Sequence, residues 1–418
     1  MKNVIKMSLA TAMMMSVGTV SAQAADDGIS VFDNIKVKGE LRPRYEMVDE
    51  DNAKPNANAL TNRAVIGIGA DLFNTDGLST YIEMTDVHAL NPNNYDGKDG
   101  AGNTNSVVAD PEQTRMTQSY LDYKYGKTKL RYGRQMFNID NLRFIGAVAW
   151  RQMPQTYDAT TIFNNSIEGL DLMASYVTKA NGVTLGVNNS DIGILHAKYK
   201  VSDALTVTGY GYLVENLGDT YGLALTGKTK AGDIGLSYRA EYAMMGDASM
   251  TETPSLTQKN ADADYYNLEL GMNMSGILAG INYEVQSGDN TADNVNNTFS
   301  TPYGTNHKFN GFADKFLGTP TQGLADANIM LGYKSKDFGL LKAIYHDFSS
   351  DVDSIDYGTE LDLVYKRAIP GVKGLVGLLK YADYSGKNEA SNANIGGTKN
   401  LDVDSQKFWV QLDYKFSI

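Results

Sequence analysis

The residues with chemistry to offer are basic, and they recur at a spacing of two. Lys36, Lys38, Arg42 and Arg44 lie on one side of an alternating run whose other side is Ile35, Val37, Leu41, Tyr45 and Met47. Alternate residues of an extended chain point to opposite faces, so these cations share a face. Arg63 takes the parity opposite Ala64, Ile66, Ile68 and Ala70, and Arg131 has the same inward parity in its own segment. Arg134, Arg143 and Arg151 gather around the stretch 136–155. Arg134 shares its parity with Leu130 and Tyr132, which assigns it to a rim where a strand gives way to a loop. Rows of Arg and Lys facing water concentrate anions and lower their entry barrier. The same Arg42 and Arg44 can instead pair with Glu40, Glu46, Glu83 or Asp122 and stiffen the structure. The two roles weigh evenly, because one guanidinium can serve both.

No HExxH, Walker, GxSxG or GxGxxG motif occurs, and the four histidines, His88, His196, His307 and His346, are scattered. No Ser–His–acid set, cofactor motif or metal-ligand spacing is legible, so an enzyme is not expected. Asp49-Glu50-Asp51 and the pair Asp262 and Asp264 lack the EF-hand spacing and read as solvated loop charge.

The chain that must position these cations begins with Lys2 and Lys6, an uncharged stretch from Met7 to Val20, and Ala22-Gln23-Ala24. This is the pattern of a secretory signal peptide over residues 1–24, cleaved after Ala24. No later run of eighteen apolar residues exists, which excludes helical spans, and there is no cysteine, which excludes a disulfide framework and thiol chemistry. Tyr is abundant at 26, Gly at 41, and Pro is low at 9, a composition suited to long paired strands with aromatic ends. The formal charge of −12 argues against nucleic acid as a partner.

Strand-like segments of about eight to thirteen residues recur from Ile35 onward, the length a tilted membrane strand needs. Eighteen are legible: 35–47, 60–72, 77–87, 114–125, 128–135, 156–163, 168–177, 191–201, 204–214, 220–229, 232–243, 262–273, 276–286, 326–335, 338–348, 355–367, 373–384 and 405–416. The connectors between them alternate in length. The long ones include 48–59, 88–113, 136–155, 178–190, 244–261, 287–325 and 385–404, and the short ones are turns such as Gly126-Lys127 and Lys336-Asp337. Short turns at one end and long loops at the other define an all-β transmembrane antiparallel barrel, in one domain over 25–418. A soluble β-sandwich would not sort its turns into two length classes.

Several runs resemble the alginate-export family of outer-membrane porins. They are Arg131-Tyr-Gly-Arg-Gln135, Asn141-Leu-Arg-Phe-Ile-Gly146, Ala149-Trp-Arg-Gln152, Gln155-Thr-Tyr-Asp158, Asn62-Arg63, and Thr305-Asn-His-Lys-Phe-Asn-Gly-Phe-Ala-Asp-Lys315. The resemblance implies an eighteen-stranded barrel in the outer membrane of a Gram-negative bacterium. It implies an arginine-rich constriction in which Arg63, Arg134 and Arg151 are the matching positions, with Arg42 or Arg44 as the basic residue of the first strand. The loops depart from the alginate exporter, and the chain ends Phe416-Ser-Ile418 rather than on an aromatic. The outward alternation survives there, so recognition by the barrel-assembly machinery is expected to persist.

The leading expectation is a porin for passive diffusion of small, anionic solutes, without cofactor or metal, embedded among outer-membrane lipids. The alternatives are an exporter of an acidic, alginate-like polysaccharide and an adhesive surface protein that uses the barrel as an anchor. Inward acids such as Glu40, Glu83, Asp122, Glu269 and Glu360 could cancel the basic patch or face it across a pore. The 287–325 connector is too long and too aromatic to be free coil, and folding inward would bury Tyr303, Phe309, Phe312 and Phe316. Deleting 301–316 is therefore expected to raise single-channel conductance in a planar bilayer; an unchanged conductance would sink the idea.

Overall fold

The computed structural model describes residues 30–250, 262–289, 298–392 and 401–418. The expected signal peptide lies outside the described residues. The strands are β1 (Phe32–Glu50), β2 (Ala57–Leu72), β3 (Leu78–Ala89), β4 (Gln113–Tyr125), β5 (Thr128–Gln135) and β6 (Thr156–Asn164). They continue as β7 (Leu170–Asn181), β8 (Val187–Asn188), β9 (Ile192–Lys200), β10 (Thr206–Val214), β11 (Gly218–Ala231) and β12 (Ile234–Gly246). The remainder are β13 (Ala263–Met274), β14 (Ile277–Gln286), β15 (Leu324–Ser335), β16 (Gly339–Ser349), β17 (Asp356–Ala368), β18 (Leu375–Gly386) and β19 (Ser405–Ser417). Each expected segment has its counterpart, with ends displaced by a few residues.

Eighteen strands form one closed antiparallel ring, because β1 pairs with β2 on one side and with β19 on the other. The two-residue β8 pairs only with the end of β7, while β7 pairs onward with β9, so β8 lies outside the ring. Closure matters energetically: with no free edge, every strand finds backbone partners on both sides, which a membrane-spanning structure requires.

The faces follow from the alternation. Outward residues such as Leu223, Leu268, Ile281, Ile329 and Leu331 are exposed, an apolar band suited to lipid. Outward tyrosines mark its borders: Tyr221, Tyr242 and Tyr266 toward the long loops, and Tyr199, Tyr333 and Tyr365 toward the short turns. Inward positions carry Gly, Thr and charge.

Described parts of several long loops turn into the barrel and pack on the inner wall of its outer half. Val108 and Tyr95 pack on Val48, Ala59 and Ala89. Phe137, Ile145, Phe299 and Tyr303 pack on the wall from β6 to β13. Ala313, Phe316 and Leu401 pack on Phe348, Tyr357, Ala382 and Trp409. Inward wall residues at this level, including Glu46, Thr85, Tyr157, Tyr265, Phe348 and Trp409, are consequently at most 1 % exposed. Toward the short turns the wall opens to water, and Lys38, Lys198 and Lys228 are exposed.

Candidate functional site: the lumen and its inward loops

Two loops cross the lumen and meet there. Gly146 N–H donates to the Tyr303 carbonyl at 2.9 Å, and Thr305 N–H donates to the Leu142 carbonyl at 2.9 Å. Loop 136–155 is thereby joined by backbone to segment 298–323 of the long loop that follows β14. Of the four aromatics expected to be buried by this fold-back, Tyr303 and Phe316 are buried and Phe309 and Phe312 are half-buried.

Buried arginines fasten this seam to the wall. Arg143 Nε donates to Glu284 at 2.5 Å, Nη1 to Asn306 at 3.0 Å and Nη2 to Asn310 at 2.9 Å. Arg151 Nη1 lies 3.1 Å from Glu46, and its Nη2 lies 3.3 Å from Asp314. Arg44 stacks over the Trp150 ring at 4.2 Å, donates to the Trp150 carbonyl, and bonds Gln411 at 2.8 Å. Removing one partner of such a buried pair costs about 3–5 kcal/mol, because the other charge is left uncompensated.

A second fastening uses the loop's own histidine. His307 Nδ1 lies 2.6 Å from Asp314, and Lys380 Nζ on β18 lies 2.7 Å from His307 Nε2. The imidazole stacks on Trp150, with ring centres 4.5 Å apart, and Lys380 sits over Phe312 at 3.2 Å. Burial, reinforced by Lys380 and Arg151, pushes the His307 imidazole well below its ordinary value. Burial works against ionisation of Asp314 too, but His307, Lys407 and Arg151 outweigh it and hold that carboxyl well below the usual range. A neutral His307 that donates to an ionised Asp314 and accepts from Lys380 satisfies both contacts. The wall beyond is acidic: Phe312 N–H donates to Asp362 at 3.0 Å and Ala313 N–H to Glu360 at 2.7 Å.

The arginines expected in the lumen divide into three groups. Arg131 pairs bidentately with Asp122, at 2.6 and 2.7 Å, on the wall. Arg42, Arg44 and Arg151 are bound to carboxylates and loop backbone; Arg42 bonds Asp413 at 2.7 Å and the Ala149 carbonyl at 2.9 Å. Arg63 stands opposite Arg42 across the β1–β2 pairing. It is buried, its nearest carboxylate is Glu40 at 3.8 Å, and among the described residues its Nε and Nη1 have no hydrogen-bond partner.

Arg134 is a correction in one respect: it does not line the lumen, although it does lie at the end of β5, where the strand gives way to the loop. It shares the outward face with the exposed Leu130 and Tyr132 and pairs with Asp158, its register neighbour on β6. The strict alternation of β5 wins over the position of the loop, because Gln135, the next residue, is the one turned inward and buried. A charge facing lipid costs about 2–4 kcal/mol at the midplane but only about 0–1 near the interface, so Arg134 belongs to the interface.

Asp110, Glu284, Asp314, Lys380 and Asp413 complete the network and were not among the expected site residues. Asp314 lies inside the Thr305–Lys315 run that carried the family resemblance, which is the signal that could have found it.

Below the seam the lumen widens into two cavities of about 830 and 510 Å³. Together they are lined by eight lysines (228, 230, 308, 342; 124, 127, 129, 198) and six carboxylates (203, 269, 284, 326; 140, 171). Glu284 is already neutralised by Arg143, so the accessible balance is positive.

A closed eighteen-stranded barrel with an apolar outside, aromatic borders and a charged lumen narrowed by its own loops is an outer-membrane β-barrel of the porin type. The family model for alginate export matches residues 33–174, so the resemblance read from the sequence is shown over that stretch. Among solved structures, Pseudomonas aeruginosa OccK8 (OprE) is similar, with a TM-score of 0.70 at 13 % identity, over 93 % of this chain and 100 % of that one. Acinetobacter baumannii OccAB2 has a TM-score of 0.70 at 15 % identity, over 94 % of this chain and 100 % of that one. Pseudomonas aeruginosa OpdK with vanillate has a TM-score of 0.69 at 12 % identity, over 93 % and 100 %. No functionally curated protein matches the sequence.

The state of His307 generates a pH dependence. The folded protein takes up this proton less readily than a released loop would, so the fastening is complete above about pH 6.5 and weakens as the pH falls below it. Each unit below that value is expected to favour the released loop by up to about tenfold. Open-channel current noise should therefore rise between about pH 7.5 and 5.5; noise that stays flat over this interval contradicts the assignment.

Proposed function

We propose that this chain is a narrow, solute-selective outer-membrane channel for passive diffusion of small anions, with its two joined loops as the constriction. The observation that carries the reading is Arg63, a buried guanidinium beside Arg42 on the inward wall whose Nε and Nη1 have no hydrogen-bond partner among the described residues. A small shift of this side chain would let a carboxylate or phosphate take one of these donors, and the lysine-rich cavities below would raise the local anion concentration. The neighbours support the same class: the OpdK structure holds vanillate, an aromatic carboxylate.

The match to the alginate-export family favours a second reading, export of an acidic polysaccharide. A polymer needs a continuous path, and the covered outer wall offers one only when the loops move aside. Block of the current by uronate oligomers that strengthens with chain length would favour this second reading, whereas block by the monomer alone supports the first.

The direct test is the reversal potential in a planar bilayer under a salt gradient. The full chain should prefer anions, Arg63→Ala should lower the anion-to-cation permeability ratio severalfold, and Arg134→Ala should leave it unchanged. Cation preference, or a ratio indifferent to Arg63→Ala, would mean that the acidic wall sets the selectivity.

A further inference from the structure

The hairpin of β4 and β5 carries a like-charged pair on its inward face. Its turn, Gly126-Lys127, has only two residues, with Gly126 at φ +58°. Cross-strand pairing then sets Lys124 directly opposite Lys129. Leu121, Tyr123 and Tyr125 take the exposed, outward positions of β4, and Leu130 and Tyr132 take those of β5. Strict alternation therefore turns both lysines into the lumen. Residues directly opposite each other have Cβ atoms about 4.5–5.5 Å apart, and like charges there are destabilising.

No carboxylate relieves this repulsion. Asp122, one inward position above Lys124, gives both oxygens to Arg131 at 2.6 and 2.7 Å, and Lys129 Nζ stays 3.9 Å from it. Among the described residues Lys124 and Lys127 make no ion pair. Lys129 is nonetheless held in place. Its Nζ sits 4.5 Å from the ring centre of Phe163, its register neighbour on β6.

The three lysines form one side of the lumen cavity of about 510 Å³. The facing side holds Lys198 with the cavity's two carboxylates. Asp171 is the register partner of Lys198. Asp140 lies 2.8 Å from His196 Nε2 and 4.0 Å from Lys198 Nζ. Those acids are matched on their own wall, and the hairpin side is left positive. Phe163 and Met173 lie between the two sides.

We infer that this cavity is a binding site for small multivalent anions, with Lys124, Lys127 and Lys129 sharing one anion. The inference rests on the reading of the lumen as an anion path and deepens it: the site selects by charge number. A monovalent anion offsets one ammonium and leaves the others repelling, whereas a di- or trivalent anion offsets the opposed pair together. Lysine is a compact point charge on a flexible stem, so three lysines read charge density rather than the planar shape that an arginine fork reads. The arginines above are already taken by carboxylates, as Arg131 is by Asp122 and Arg151 by Glu46. The hairpin lies at the short-turn end, which is the periplasmic end of such a barrel. The site therefore gathers anions on the periplasmic side of the constriction.

The test is block of the chloride current through the full chain in a planar bilayer, titrated with orthophosphate and with pyrophosphate. At about pH 8 the lysines remain charged and pyrophosphate is the more highly charged of the two anions. Pyrophosphate should reach half-block at a concentration about tenfold lower than orthophosphate. Lys124→Gln combined with Lys129→Gln should bring the two concentrations together. Lys336→Gln, on the β15–β16 turn and outside the cavity, should keep them apart. Heat-modifiable gel migration verifies that each variant is folded. Should the double variant not fold, Lys124→Gln alone decides, and it should shrink the preference severalfold. Equal block by the two anions in the full chain, or a preference that survives loss of these lysines, overturns the inference. The reversal potential separates the two claims: an anion-selective full chain without the preference defeats the site alone, and a cation-selective one defeats the anion path with it.

Discussion

The lumen of this barrel depends on a seam of two backbone hydrogen bonds, Gly146 to Tyr303 and Thr305 to Leu142, made in the middle of a tube. Neither loop could hold that position alone. A loop that enters a lumen gives up water at every peptide group, so each needs partners that the wall cannot fully supply. By pairing with each other the loops satisfy part of that demand. They then spend their side chains on the wall: Arg143 on Glu284, Arg151 on Glu46, and His307 on Lys380.

The use of buried charge for these anchors has a physical consequence. Hydrophobic packing alone would stabilise the loops at least as well, since burying an ion pair strips both partners of water. What charge adds is registry. A guanidinium whose donors reach Glu284, Asn306 and Asn310 at once accepts one loop position and rejects its neighbours. It also makes the constriction responsive to pH, because Asp314 and His307 are held in states that acid disfavours. Arg63 stands apart from this economy. Two of its donors are unmatched among the described residues, a costly arrangement for a buried guanidinium.

The barrel was legible because its signal is periodic and redundant. Alternation along each strand, the eighteen-strand count and the long–short phase of the turns all derive from the pleat and the membrane, and each constrains the others. The same periodicity was enough to place Arg42, Arg44, Arg63 and Arg131 on the inward face. It also puts Arg134 on the outward face with Leu130 and Tyr132, and the nearness of the loop does not turn it inward. The loop network was not legible. Asp110, Glu284 and Asp314 lie 66, 141 and 163 positions from the arginines they meet, and no local period connects them. Only a global fact, that both long loops turn inward, brings them together.

The seam is tested most directly by cysteine accessibility, for which a chain without native cysteine is well suited. Ala382 lies on the inward face of β18 beneath Ala313 and Phe316, whereas Lys342 lines the open cavity below. A charged, water-borne thiol reagent should modify a cysteine placed at 342 rapidly in both the full chain and a chain lacking 301–316. At 382 it should react only when that segment is removed. Equal, rapid modification at 382 in the full chain would show that the loops do not cover the outer wall, and the constriction would have to be sought elsewhere.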